Sequence, residues 1–350
     1  MAGKIDFVIP WVDGGDTEWL EEKKKYTVNK GADNSVNRYR DWDNLQYWFR
    51  GIEKFAPWVN RIHFITWGHL PEWLNVNHPK LNVVRHEDYI PKQYLPVFSA
   101  NPIELNIHRI KGLEEQFVYL NDDTFFVRET NPEDFFKNGK PNSMLVACPY
   151  ICQNDVFAKL IANDLGVINK NFEVRQIWKR DWKKWLSLKN GKRVLMTLMM
   201  LPYPGFTGFL NTHLPNAYLK STFETVWEKE KKILEETSAN RFRSPLDVNQ
   251  HLMKYWQIAE GKYNPIILGS IFGLDINYRS LLLYDGDINL LKGGIEAADM
   301  VTTVSKTYAD EILSPEFSFG LHNILHPRKY KLRGVVNGID TTVFNPATDP

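Results

Sequence analysis

Short apolar runs and helically spaced apolar residues alternate along the first 120 residues. Residues 5–12 (IDFVIPWV) are β-branched and aromatic and end in Asp13-Gly14-Gly15-Asp16, which predicts a buried strand closed by a turn. Leu45, Trp48, Phe49, Ile52, Phe55 and Ala56 then recur at helical spacing. Asp41 and Asp43 open that helix and Pro57 stops it. Residues 61–67 (RIHFITW) read as a second strand, 81–85 as a weaker third, 102–110 as a helix, and 116–120 (QFVYL) as a fourth strand ending in Asn121-Asp122-Asp123. Strands alternating with helices indicate an α/β fold with a mostly parallel sheet.

The middle of the chain, residues 152–200, reads as a helical, basic insert. Trp178, Trp182 and Trp185 sit at i, i+4 and i+7 on one helix face, with Arg175, Lys179, Lys183 and Lys184 largely elsewhere. Such a helix lies on a membrane surface or holds an anionic polymer or, as is commoner, packs its Trp face into the core and solvates its lysines. Two more helices are expected at 217–236 and 246–260. After about residue 273 the character changes. Residues 290–296 lead into a β-branched strand at 300–304, and Ser305 caps a helix at 306–313. That is one βα unit of a second nucleotide-binding type.

Composition narrows the class. Lys plus Arg number 43 and Asp plus Glu 42, so a nucleic-acid partner is not expected. Cys148 and Cys152 are too few for a disulfide framework and lack a zinc spacing with His; they read as buried thiols. The longest aliphatic stretch, 194–201, falls far short of the ~20 apolar residues of a membrane span. The start, MAGKIDFVIPW, lacks the long apolar segment of a signal peptide. A cytoplasmic protein with at most a peripheral contact at the inner face of the membrane is expected. The unusual number is 13% aromatic with 12 Trp; sugar sites use aromatic platforms, but most of these rings belong in the core.

Ligands of open α/β sheets bind beyond the carboxyl ends of the strands. The first and fourth strands end there in acid-rich turns. Carboxylates at a strand end suit a hard divalent cation that also holds phosphate oxygens, although Asp and Gly favour turns in any case. The doublet Asp122-Asp123 is the sharper signal, because adjacent like charges cost energy unless a cation or donors compensate. Arg38 and Arg40, before the first long helix, suit a phosphate or simply pair with Asp41 and Asp43. His213, after a Pro/Gly-rich segment, is an acid–base candidate or a surface loop residue. Arg241, Arg243 and Asp247 form a mixed cluster at a helix start, which a capped helix with an ion pair explains equally well.

These pieces fall in a recognisable order. IDFVIPWVDGGD at residues 5–16 resembles the first conserved block of the Stealth family of sugar-phosphate transferases. RYRDWDNLQYWFRGIEKFAPWVNRIHFITWGHLPEWLN at 38–75, followed by HEDYIP, HRIKGL and FVYLNDDTFF up to residue 126, is similar to its second block. THLPNAYLKSTF from residue 212 and RFRSPLDVNQHLMKYWQ from 241 are similar to its third. The family's fourth block, a short Cys-X-Asn-Asp-like strand end, should follow GSIFGLDIN at 269–277 and is not found. From about 281 the chain instead resembles bacterial glycogen or starch synthase, through YDGDINLLKGGIEAADMVTTVSKTYADEI and KLRGVVNGIDTTVFNPATDP. That enzyme's N-terminal Lys-X-Gly-Gly-Leu loop and its second domain are not found, so this segment is no working synthase. The division implied is a transferase domain at 1–277 and a synthase-like fragment at 278–350.

The Stealth resemblance implies a Rossmann-like or GT-A-like fold and transfer of a hexose or N-acetylhexose 1-phosphate. The donor would be a UDP-sugar, the acceptor a hydroxyl of a capsular or cell-wall polysaccharide or a lipid-linked glycan, and UMP would be released. It implies that Asp122 and Asp123 hold Mg²⁺ or Mn²⁺ or activate the acceptor, that Trp11, Asp13 and Gly14 line the nucleotide site, and that Asp16 and Asn121 contact substrate. It implies acid–base work by His213, a phosphate clamp at Arg243, and support from Arg40, Asp41 and Asp247. A metal-dependent nucleotide-sugar glycosyltransferase is the first alternative. A truncated or chimeric chain that binds nucleotide-sugar without turnover is the second.

Overall fold

Phe7, Val8 and Ile9 are fully buried in β1 (Ile5–Pro10), as expected for a strand covered on both faces. The computed structural model describes residues 3–27, 44–126, 128–150, 156–187, 193–211, 214–266, 283–284 and 287–335. The chain divides into two compact units, Met1–Ile271 and Phe272–Pro350.

In the first unit β1 leads into α1 (Thr17–Tyr26), which the sequence pattern had not indicated. Asp16 caps it, its carboxylate accepting from the Trp19 amide at 2.7 Å. Next come α2 (Leu45–Phe55), β2 (Ile62–Thr66), β3 (Leu81–Arg85), α3 (His86–Tyr89), α4 (Ala100–Leu105) and β4 (Gln116–Tyr119). Asp41 and Asp43, expected to open α2, lie outside the described residues. The helix expected over 102–110 is shorter than the pattern suggested: α4 ends at Leu105 and a separate 3₁₀ turn follows at Ile107–Arg109. Then come α5 (Pro132–Phe135), β5 (Phe136–Lys137), β6 (Lys140–Met144), α6 (Val156–Asn171), α7 (Val174–Trp185) and α8 (Arg193–Met200). The unit continues through β7 (Asn216–Leu219), α9 (Lys220–Lys229), α10 (Lys231–Ser238), α11 (His251–Ala259) and β8 (Asn264–Ile266).

The central sheet has the order β3-β2-β1-β4-β7. All its pairings are parallel except β4 with β7. Side chains alternate between two apolar layers, the period-2 rule of a strand. Phe7, Ile9 and Val118 join Trp48 and Ile52 of α2 on one face. Val8, Ile65, Phe117 and Tyr119 join Phe223, Leu252 and Trp256 on the other.

Three expectations are corrected here. Residues 216–219 are a strand, not the start of a helix, because their four buried residues zip against β4, with Phe117 opposite Tyr218. The following helix also breaks into α9 and α10, and the helix expected from 246 begins only at His251. The three tryptophans of α7 do not share a face. Trp178 and Trp185 pack edge to face at 4.5 Å, whereas Trp182 is 55% exposed. The inward arc runs through Val174, Ile177, Trp178, Asp181 and Trp185. Asp181, held by Arg180 and Lys184, takes the inward place expected of Trp182.

In the second unit the strand Val301–Thr303 pairs in parallel with Leu332–Gly334. Ser305 caps the helix Lys306–Glu311, accepting from the Tyr308 amide at 2.9 Å, as the sequence indicated. A small cluster of Ile295, Leu321, Ile324 and Leu325 is its core.

Phe117 is fully buried between Tyr218 and Phe223 in the central layer. Phe117→Ala is expected to lower stability by about 3–5 kcal/mol, read from the urea midpoint at unchanged slope.

Candidate active site

In the sheet order β1 and β4 lie side by side, each with its next neighbour on the outer side. A parallel sheet opens a crevice at such a reversal, beyond the carboxyl ends of the two strands. Here the crevice is a cleft of about 410 Å³. Trp11 and Val12 enter it after β1, and Asn121 and Asp122 enter it after β4. Ile103 and Glu104 of α4 line it, as do Arg243, Asn249, Gln250 and His251. Trp19, Phe98 and Phe242 add an aromatic wall, the last two stacked at 5.4 Å.

Glu104 is the chemically distinctive group. It is 8% exposed, and its Oε1 accepts the Tyr119 hydroxyl at 2.8 Å. Burial pushes its carboxyl up to about 7, against the opposing pull of the Tyr119 hydroxyl, the Arg243 charge and the Gln250 amide. Such a group exchanges a proton near neutrality, the property of a working acid or base. The sequence reading did not single it out. Its signal was a lone carboxylate within the otherwise uncharged NPIELNI, an isolated charge on a segment that must pack.

A second buried carboxylate organises the cleft from behind. Asp247 is fully buried and does not line the cleft. Its Oδ2 accepts from Asn101 Nδ2 of α4 and from the Ser244 amide, both at 2.9 Å, and its Oδ1 accepts from Asn240 Nδ2 at 2.7 Å. It therefore ties the loop carrying Arg243 to the helix carrying Glu104. The Phe98 amide bonds the Arg241 carbonyl at 2.8 Å and adds a second tie. Asp164 of α6, fully buried, accepts the Asn249 amide at 3.1 Å. Burial, and the nearby Glu104, push its carboxyl well up.

The first acid-rich turn is mainly structural in its contacts. Asp13 Oδ1 accepts the Gly15 amide at 2.8 Å, and Asp16 caps α1. Gly14 and Gly15 form the turn between them. The Asp13 amide donates to Nε2 of His69 at 2.8 Å, so His69 carries its proton on Nδ1, 3.9 Å from the Asp16 carboxylate. Trp11 is clamped between Phe64, stacked at 5.6 Å, and His69, edge-on at 5.1 Å. Of the sequence-indicated residues, the structure thus brings together Trp11, Asn121, Asp122 and Arg243 on one cleft. Asp123 is exposed in the turn beside Asp122 and does not line the cleft. Asp13, Gly14 and Asp16 do not line the cleft. Arg40, Asp41, His213 and Cys152 lie outside the described residues. Cys148 is buried, as expected.

Residues 3–31 match conserved region 1 of Stealth proteins, and residues 38–144 match conserved region 2. A capsular polysaccharide phosphotransferase, WcwK, of Streptococcus pneumoniae is 47% identical over 267 residues, 76% of this chain and 81% of that protein. The chain belongs to the Stealth family. A receptor polysaccharide phosphotransferase, WefC, of Streptococcus gordonii is 46% identical over 284 residues, 79% of this chain and 84% of the other. Residues 258–327 match a different family, the starch synthase catalytic domain. The catalytic domain of starch synthase IV from Arabidopsis thaliana, solved with ADP and acarbose, shares 42% identity over 23% of this chain and 18% of that one, with a TM-score of 0.20. The Stealth matches contain both strand ends of the cleft and Glu104.

Asp247→Ala would strand three donors in the interior. The expected loss is about 2–4 kcal/mol of stability, read by urea unfolding, with a fall in kcat/KM as the Arg243 loop loosens.

Proposed function

We propose that this Stealth-family phosphotransferase moves a sugar 1-phosphate from a UDP-sugar onto a hydroxyl of a capsular or cell-wall glycan, free or lipid-linked, and releases UMP. The observation that supports it most is the convergence of a near-neutral carboxyl, Glu104, with Arg243 and Asp122 on one aromatic-walled cleft. The acceptor hydroxyl attacks the donor's β-phosphorus. A new P–O bond forms, the bond to the bridging oxygen breaks, and UMP leaves with the electron pair. The hydroxyl proton passes to the Glu104 carboxylate, while Arg243 opposes the phosphate charge. The sugar's own anomeric C–O bond survives. His213, the acid–base candidate from sequence, remains a second proton carrier under this proposal.

The donor set suits a divalent ion in part. Asp122 is an exposed carboxylate on the cleft, and Mg²⁺ is typically held by one or two carboxylates plus substrate phosphates and water. Asp122, with Asp123 beside it, would hold Mg²⁺ or Mn²⁺, and the ion would neutralise charge on the leaving nucleotide.

Donor labelled with radiophosphorus at the β-position tests the reaction. Label is expected in the glycan product, with one UMP per transfer; label retained in UDP would mean glycosyl transfer instead. Glu104→Gln, which keeps the Tyr119 hydrogen bond, is expected to lower kcat by about 10²–10⁴-fold. It should also remove the rise of kcat/KM toward neutral pH, because the carboxylate form that accepts the proton fills as pH passes about 7. Asp122→Asn is expected to abolish turnover with the fold intact, read by activity and circular dichroism.

A further inference from the structure

Helix α8 turns one side to the protein and the other to water. Thr197 and Met200 face inward: the Thr197 hydroxyl accepts the Ala147 amide at 3.2 Å, and the Met200 sulfur accepts the Thr207 hydroxyl at 3.0 Å. The outward side is apolar throughout, with Leu195 63%, Leu198 42% and Met199 61% exposed and Met196 beside them. Tyr203, in the loop that follows, is 50% exposed. Contiguous apolar surface of this kind marks a contact site.

The charge around it is one-sided. From Trp182 to Phe223 the sequence holds no Asp or Glu, while Lys183, Lys184, Lys189, Lys192, Arg193 and Lys220 fall in that stretch. On α7, Arg175, Lys179 and Lys183 are exposed together with Trp182, whose ring lies 5.6 Å from the Lys183 ammonium. Both helices seat on the same short segment. Trp185 packs on Phe206 and Phe209, and Met200 meets Thr207.

Lysines are depleted at protein–protein contacts. Flexible aliphatic side chains, lysines and exposed Trp and Tyr together are the composition of a helix lying in a bilayer interface. We propose that this face docks on an anionic phospholipid surface, α8 dipping its Leu and Met side chains below the head groups and the α7 cations meeting their phosphates. At eight residues α8 is far too short to span, so the contact is superficial. This inference stands independently of the reaction proposed above.

Co-sedimentation of the full chain with vesicles tests it, comparing phosphatidylcholine alone with phosphatidylcholine plus phosphatidylglycerol. Binding is expected to the anionic vesicles and to weaken as salt rises. The double variant Leu195→Ser, Met199→Ser should bind about tenfold more weakly, with an unchanged circular dichroism spectrum. Lys179→Glu with Lys183→Glu should abolish the preference for anionic vesicles. Three results would overturn the proposal: no binding of the unaltered chain to anionic vesicles, equal binding by the Leu195/Met199 variant, or a dimer in analytical ultracentrifugation that this variant dissolves while vesicles are ignored.

Discussion

The hydrogen bond from the Tyr119 hydroxyl to the Glu104 carboxyl joins the end of a central strand to a short helix, and the cleft is built around it. A carboxyl removed from water must either keep its proton or meet compensating charge. Glu104 does some of each, which is why its titration lies near neutrality rather than far above it. Arg243 supplies the compensating charge, and Asp247 keeps the Arg243 loop fastened to the helix that carries Glu104. Loosening either tie would shift Arg243 relative to Glu104 and so change the field at its carboxyl.

Asp164 adds a further constraint. Burial is the main reason its carboxyl resists ionisation, and the nearby Glu104 disfavours that ionisation further. Both carboxyls sit in the layer that contains Trp256, Tyr255 and Phe223, with little polar surface to screen them. Holding Asp164 in its protonated form costs the fold stability near neutral pH, because the same carboxyl ionises in the unfolded chain. Of the two carboxyls that line the cleft among the described residues, Asp122 is exposed and Glu104 is the buried one whose charge is adjustable near neutrality.

The sheet was legible because its strands are buried on both faces, so their sequences are nearly continuous apolar runs ended by polar turns. The cleft lies beyond the carboxyl ends of the first and fourth strands, where the acid-rich turns pointed, and Trp11, Asn121, Asp122 and Arg243, read from the turns and a helix start, line it. Glu104 was not, because nothing local distinguishes a packed carboxylate from a solvated one; only the Tyr119 and Arg243 contacts, made across the fold, do so. The strand Asn216–Leu219 was hidden because its four residues run directly into a helix with no breaker between them. Asp13 and Asp16 read as site residues, yet their carboxylates serve the turn and the cap of α1. The aromatic count was a core signal above all: Trp19, Trp48, Trp185 and Trp256 are essentially sealed from water. The match to starch synthase falls mostly in the second unit, whose small apolar cluster closes over a single βα step.

The fold holds the Glu104 carboxyl at the cleft poised near neutrality. Carbon NMR of protein labelled at the glutamate side-chain carboxyls, with Glu104→Gln to assign the signal, tests it directly. The account predicts a Glu104 resonance that titrates at about 7, far above the exposed glutamates. A Glu104 signal already ionised throughout the weakly acidic range would contradict it.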